Sequence, residues 1–131
     1  MPQLPPEVEL ARRFASALGT AVFIVDPDGN LLYYNRPAEE VLGMQFDKKG
    51  EMPASEWSRI FTPTDEGGLP LLPDDLPLMI AVREQHAAHR DMWIRGIDNV
   101  SRHIEVTALP LRNEGGIFLG AVAVFWDVKQ A

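Results

Sequence analysis

The run GGIFLGAVAVFWDV, from Gly115 to Val128, must be hidden from water on both of its sides. A strand with one wet face alternates apolar and polar residues, and this one does not. Successive side chains of a strand point to opposite faces. That rule puts Ile117, Leu119, Ala121, Ala123 and Phe125 on one side, and Phe118, Val122, Val124 and Trp126 on the other, interrupted only by Gly120. Burying each large residue of the second side is worth roughly 1.5–3 kcal/mol, too much to leave solvated. One face can close the domain's own core. The other requires a packed helix or a second chain.

The chain has 131 residues, enough for one core and not for two. It contains no cysteine, which excludes disulfides, a thiolate nucleophile and cysteine metal sites, and it fits a reducing, cytoplasmic setting. The net charge of -7 with no basic run argues against a nucleic-acid partner. No apolar run reaches the length of a membrane span, and MPQLPPEVEL has no signal-peptide pattern, so no membrane role is expected.

In chain order, Pro2, Pro5 and Pro6 form a stiff leader, and Glu7 to Leu18 carries a helical stripe of Val8, Ala11, Ala15 and Leu18, widened by Leu10 and Phe14. Gly19 is the expected stop. This helix is the candidate cover for the second face of the last strand. Ala21–Val25 and Leu31–Tyr34 form a hairpin around Asp26-Pro27-Asp28-Gly29-Asn30. Asn35 stands at a helix start, with Pro37 in the first turn, Ala38, Val41 and Leu42 on the buried side and Gly43 at the end.

Residues 44–54 read as polar loop. Ser55 is placed to cap a short helix from Glu56 to Phe61, with Trp57, Ile60 and Phe61 on one face. The proline-rich segment Thr62–Pro77 is irregular, and a helix follows from about Leu76 to Gln85, with Leu76, Met79, Ile80 and Val82 apolar. A meander closes the chain: Met92–Arg95, a turn at Ile97–Val100, Arg102–Leu111, a turn at Asn113–Gly116, and the doubly apolar run. In the middle strand Ile104, Val106 and Ala108 face one way, while His103, Glu105 and Thr107 mark a face open to water or a polar partner.

The stretches DPDGNLLYYNRPAEEVLG, GLPLLPDDLPLMIAVREQ and HIEVTALPLRNEGGIFLGAVAVFWDV resemble, in that order, the opening hairpin and capped helix, the central helix, and the last two strands of the PAS domains. The resemblance runs from Ala21 to Val128, leaving residues 1–20 as leader and flanking helix and 129–131 as a tail. Lys129 departs from the threonine or serine that usually follows the family's junction. The resemblance implies an α+β fold with a five-stranded antiparallel sheet, order 2-1-5-4-3, short helices over one face, and a ligand pocket between the central helix and the sheet. It also turns Phe125 inwards, and Leu119, Ala121 and Ala123 with it.

The pocket implied by the resemblance would be lined by Trp57, Met79, Val82, Met92, Ile94, Val106, Ala108, Ala121, Ala123 and Phe125. Ala108, Ala121 and Ala123 are small for a core. A void of about 100 Å³ there would cost roughly 2.4 kcal/mol, so either neighbouring side chains collapse into it or a small apolar ligand fills it. No cofactor is expected. The cysteines of the flavin and yellow-protein photoreceptor types are missing, and a haem sensor's proximal histidine would fall at Asp75 or Leu76. His86 and His89 have the His-x-x-His spacing of a zinc pair but no evident third ligand, so they are expected to be solvated or to cap carbonyls, and His103 to be exposed.

Nor is there a nucleophile, base and orienter set for catalysis, and Asp74-Asp75 sits where a helix favours negative charge. The expected function is a sensory or interaction module, not an enzyme. It would dimerise through Val8, Ala11, Phe14, Ala15 and Leu18 of the first helix and Phe118, Val122, Val124 and Trp126 of the last strand, and serve a histidine kinase, cyclase or other signalling output protein. The alternative is a small α+β enzyme or carrier of the ketosteroid-isomerase type, against which the early hairpin counts.

Overall fold

The computed structural model describes residues 4–46, 50–96 and 98–128. Helix α1 (Pro6–Ala17) precedes the hairpin β1 (Ala21–Val25) and β2 (Leu31–Tyr34). Helices α2 (Arg36–Leu42), α3 (Ala54–Ile60) and α4 (Pro77–Glu84) follow, with a 3-10 turn at Pro73–Asp75 before α4. Strands β3 (Ala88–Arg95), β4 (Ser101–Arg112) and β5 (Phe118–Asp127) end the described chain. All pairings are antiparallel and the order is β2-β1-β5-β4-β3.

The doubly apolar strand is therefore the middle of the sheet, between β1 and β4. Its inner residues Ala121, Ala123 and Phe125 join Phe23, Val25, Trp57, Leu78 and Val106 in the main core under the short helices. Its outer residues Val122 and Val124 join Val22 and Ile24 in a second core closed by Val8, Ala11 and Ala15 of α1 and by Leu18 just past its end. Each face has its own cover. The cover of the second face is supplied by the same chain.

Local chemistry sets the joints. Asp26 Oδ1 accepts from the amides of Asp28 and Asn30, each at 2.9 Å, and so builds the hairpin turn. Asn35 Oδ1 accepts from the Ala38 amide and caps α2, which Gly43 ends in a left-handed conformation.

Several expected boundaries move. Gly19 takes no left-handed cap, since α1 exits through an extended Leu18 whose amide donates to the Ala15 carbonyl. Ser55 does not cap α3. The helix starts at Ala54, and Asn30 Oδ1 accepts the Ala54 amide from across the hairpin. Strand β3 starts at Ala88 rather than Met92, because the long β4 offers it partners as far as Ala108. In the loop before α3, Met52 bridges to Leu31 and is buried. Residues 47–49 of that loop, Ile97 of the expected turn, positions 1–3 of the leader and the tail 129–131 lie outside the described residues.

The largest correction concerns Leu119 and Phe118. A register shift next to Gly120 pairs Leu111 with Gly120 but Arg112 with Phe118, so Leu119 is the extra residue of a bulge. A bulge reverses the alternation before it. Leu119 accordingly packs in the outer core rather than the inner one. Phe118 lies under the Arg112 guanidinium, 5.9 Å from its ring centre, and Arg112 also donates to the Gln85 carbonyl at the end of α4. It belongs to the α4 side and not to the face covered by α1.

Candidate functional site: core cavity and docked helix

Between α3, α4 and the inner sheet face lies a cavity of about 70 Å³. Of the residues expected around it, Trp57, Met92, Ile94, Val106, Ala123 and Phe125 line it. Ala108 and Ala121 are fully buried beside it, and Met79 and Val82 are half-buried at the edge of the core. Trp57 is held by its indole N–H, which donates to the Gly29 carbonyl at 2.7 Å, and by an edge-on contact with Phe23, centroids 5.1 Å apart. The sheet side of the cavity is thus fixed by strand period and the helix side by one anchored indole.

The reading of the residues alone missed Phe23, Leu42, Leu78 and Ser58, which also line the space. Phe23 was legible, since it lies at strand spacing from Ala21 and Val25. Leu42 and Leu78 depend on how α2 and α4 tilt onto the sheet, which sequence period does not give. Ser58 is buried, and its Oγ has no hydrogen-bond partner.

A cavity this small is a fraction of the roughly 300–1,000 Å³ of ordinary ligand pockets. At ~24 cal/mol per Å³ it costs on the order of 1.7 kcal/mol if left empty. Of the three alanines only Ala123 lines the remaining space.

The second feature is the joint between sheet and α1. Asn35 is buried and makes four contacts: Oδ1 accepts from the amides of Val22 (2.9 Å) and Ala38 (3.2 Å), and Nδ2 donates to the carbonyls of Ala15 (2.9 Å) and Thr20 (2.8 Å). One amide side chain thereby ties α1, β1 and α2 together. Beside it, Tyr34 stacks on Phe23 and donates its hydroxyl to the Met44 carbonyl at 2.9 Å. Burial, aided by the charge of Glu39, pushes the Tyr34 phenol up to about 12.

The residues expected to face a second chain divide in two. Val8 and Ala15 are buried within the chain, and Ala11, Leu18, Val122 and Val124 pack around them. Phe14 is 65% exposed and Trp126 40%. Leu10 and Leu109 are exposed as well.

The histidines and acidic residues singled out from sequence are dispersed. His86 contacts the Ala87 carbonyl and Glu84, both of which raise its pKa, whereas His89 contacts Thr107 Oγ1, so the His-x-x-His pair does not converge. His103 is half-buried rather than exposed, stacked on Trp93 with ring centres 4.0 Å apart. Asp74 pairs with Arg83 at 2.8 Å, and Asp75 accepts from the Leu72 amide to close the 3-10 turn. Among the described residues no helix is long and apolar enough to cross a membrane.

Comparison with known proteins completes the site's context. No curated protein sequence matches the chain significantly. Among solved structures, the chain is similar to the Rhodobacter sphaeroides LOV protein (TM-score 0.72, 11% identity, 95% of this chain and 68% of that one). It is also similar to the PAS domain of Bordetella pertussis BvgS (TM-score 0.61, 15% identity, 92% and 84%). A third is the PAS domain of nitrogen regulation protein NR(II) from Vibrio parahaemolyticus (TM-score 0.62, 16% identity, 91% and 98%). At these identities the likeness is one of fold. The PAS domain family model matches residues 19–130, from the end of α1 through β5. With its sheet order, its covered inner face and that match in agreement, the chain belongs to the PAS domain family.

Proposed function

We propose that this chain is a cytoplasmic sensor and interaction module whose signal passes between its core and α1. The observation that carries this reading is the Asn35 joint, which bonds the Ala15 carbonyl of α1 to the first strand of the sheet. Any shift of β1 moves Asn35 Oδ1, and with it the donor that holds α1. The same geometry favours a filled core over a cofactor pocket, because about 70 Å³ admits only a small apolar molecule. The module works as a homodimer, with Phe14 and Trp126 among the exposed apolar side chains and offered to a second copy. A histidine kinase, a cyclase or another output protein is the class of partner it serves.

Native mass spectrometry of protein purified from cells, with light scattering on Phe14→Glu and Trp126→Glu, tests the reading. The expected result is a dimeric parent without a bound chromophore, and monomers for both variants. A parent that stays monomeric at concentrations well above cellular ones overturns the dimer. A retained cofactor or a visible absorption band overturns the filled core.

A further inference from the structure

On the outer face of β3 and β4, chemistry-bearing residues stand in register: His89 opposite Thr107, Asp91 opposite Glu105, Trp93 opposite His103. One ring nitrogen of His89 and one carboxylate oxygen each of Asp91 and Glu105 lie within 4.8 Å of one another. We propose that His89, Asp91 and Glu105 form a binding site for a zinc-class divalent cation, separate from the core cavity and adjoining the face offered to a second copy, since Glu105 is the cross-strand partner of Trp126.

Three observations carry this. First, Asp91 and Glu105 are direct cross-strand partners, and like charges so placed oppose each other. No lysine or arginine among the described residues lies within ion-pair distance of either. A cation between them turns this repulsion into attraction.

Second, the imidazoles are fixed in advance. Thr107 Oγ1 lies 2.7 Å from His89 Nδ1, the kind of second contact that orients a metal-ligating histidine. His103 is clamped flat against Trp93, and its Nε2 is buried, 3.4 Å from Asp91 Oδ2, in a geometry that makes no hydrogen bond. That nitrogen, with the Asp91 carboxylate beside it, borders the cluster and is the candidate fourth donor.

Third, the donor set selects the ion. Imidazole with carboxylates suits zinc and its neighbours, whereas calcium and magnesium favour oxygen alone. Tetrahedral bonds of about 2.0–2.2 Å set donors roughly 3.4 Å apart, a contraction that rotamer changes in exposed side chains accommodate.

The test is calorimetric titration of chelator-treated protein with zinc chloride, paired with the visible spectrum on cobalt(II) addition and thermal melts with and without zinc. One ion per chain, a tetrahedral cobalt spectrum and a zinc-dependent rise in melting temperature are expected. Thr107→Val should weaken binding about 10–100-fold, and His89→Ala at least as much, while His86→Ala binds as the parent does. Glu105→Gln separates folding from ligation: it should raise the melting temperature of metal-free protein and remove the zinc-dependent rise. Absence of saturable binding overturns the site. So does a His89→Ala protein that binds like the parent, or a His86→Ala protein that loses binding equally.

Discussion

Asn35 Nδ2 sits 2.9 Å from the Ala15 carbonyl, so the residue that caps α2 also fastens α1 to the sheet. Replacing Asn35 with alanine leaves the Val22 amide and the Ala15 and Thr20 carbonyls without this partner. A loss of about 3 kcal/mol is expected, combining a lost cap with buried groups left unpaired. Urea unfolding gives the magnitude. Hydrogen exchange supplies the sharper readout, because protection should fall first in Pro6–Ala17, and uniform loss across the sheet would contradict the joint.

Gly120 is the position where a side chain cannot fit. Its φ is +133°, and a Cβ there would stand 2.2 Å from the Val25 carbonyl oxygen. Gly120→Ala should therefore cost at least about 3 kcal/mol, clash added to backbone strain. Gly116 also has positive φ, at +81°, but meets nothing within 4 Å, so Gly116→Ala should cost only about 1–2 kcal/mol. Equal melting temperatures for the two variants would refute the close approach.

Ala123 lines the cavity and probes its size. Valine adds two methyl groups to a space of about 70 Å³ and should leave stability unchanged or raise it. Phenylalanine brings a ring that needs a cavity of about 150 Å³, and overpacking should cost ~1–3 kcal/mol. A stable Ala123→Phe protein would mean that the core opens more readily than its packing implies.

Tyr34 predicts an alkaline limb. Its folded-state phenol ionises near 12, against about 10 for a free tyrosine. Between those values the unfolded chain has lost the proton and the folded one keeps it, so stability is fully present below about pH 10 and falls as pH rises towards 12. Tyr34→Phe should be less stable at neutral pH, through the lost bond to the Met44 carbonyl, and flatter through the alkaline range. Denaturant midpoints at several pH values measure both.

The fold was legible because its strongest signals are local. The turn chemistry of Asp26 to Asn30, the Asn35 cap and the two greasy sides of β5 each fix an element or its neighbours. What failed was alternation carried through Gly120, since a single bulge residue reverses every assignment before it and has no pattern of its own. The outer row of His89, Asp91 and Glu105 was hidden for a different reason. Its members belong to two strands, and only the register brings them together.

Helix α1 is clasped by its own sheet through aliphatic side chains and a single amide clamp. A partner that took the same carbonyl or the same greasy stripe would compete with that clamp, whereas one seated on the exposed Phe14 would leave it in place. For the first kind of partner linkage is symmetrical: tugging the helix away would slacken the interior, and tightening the interior would draw the helix out of the outside grip.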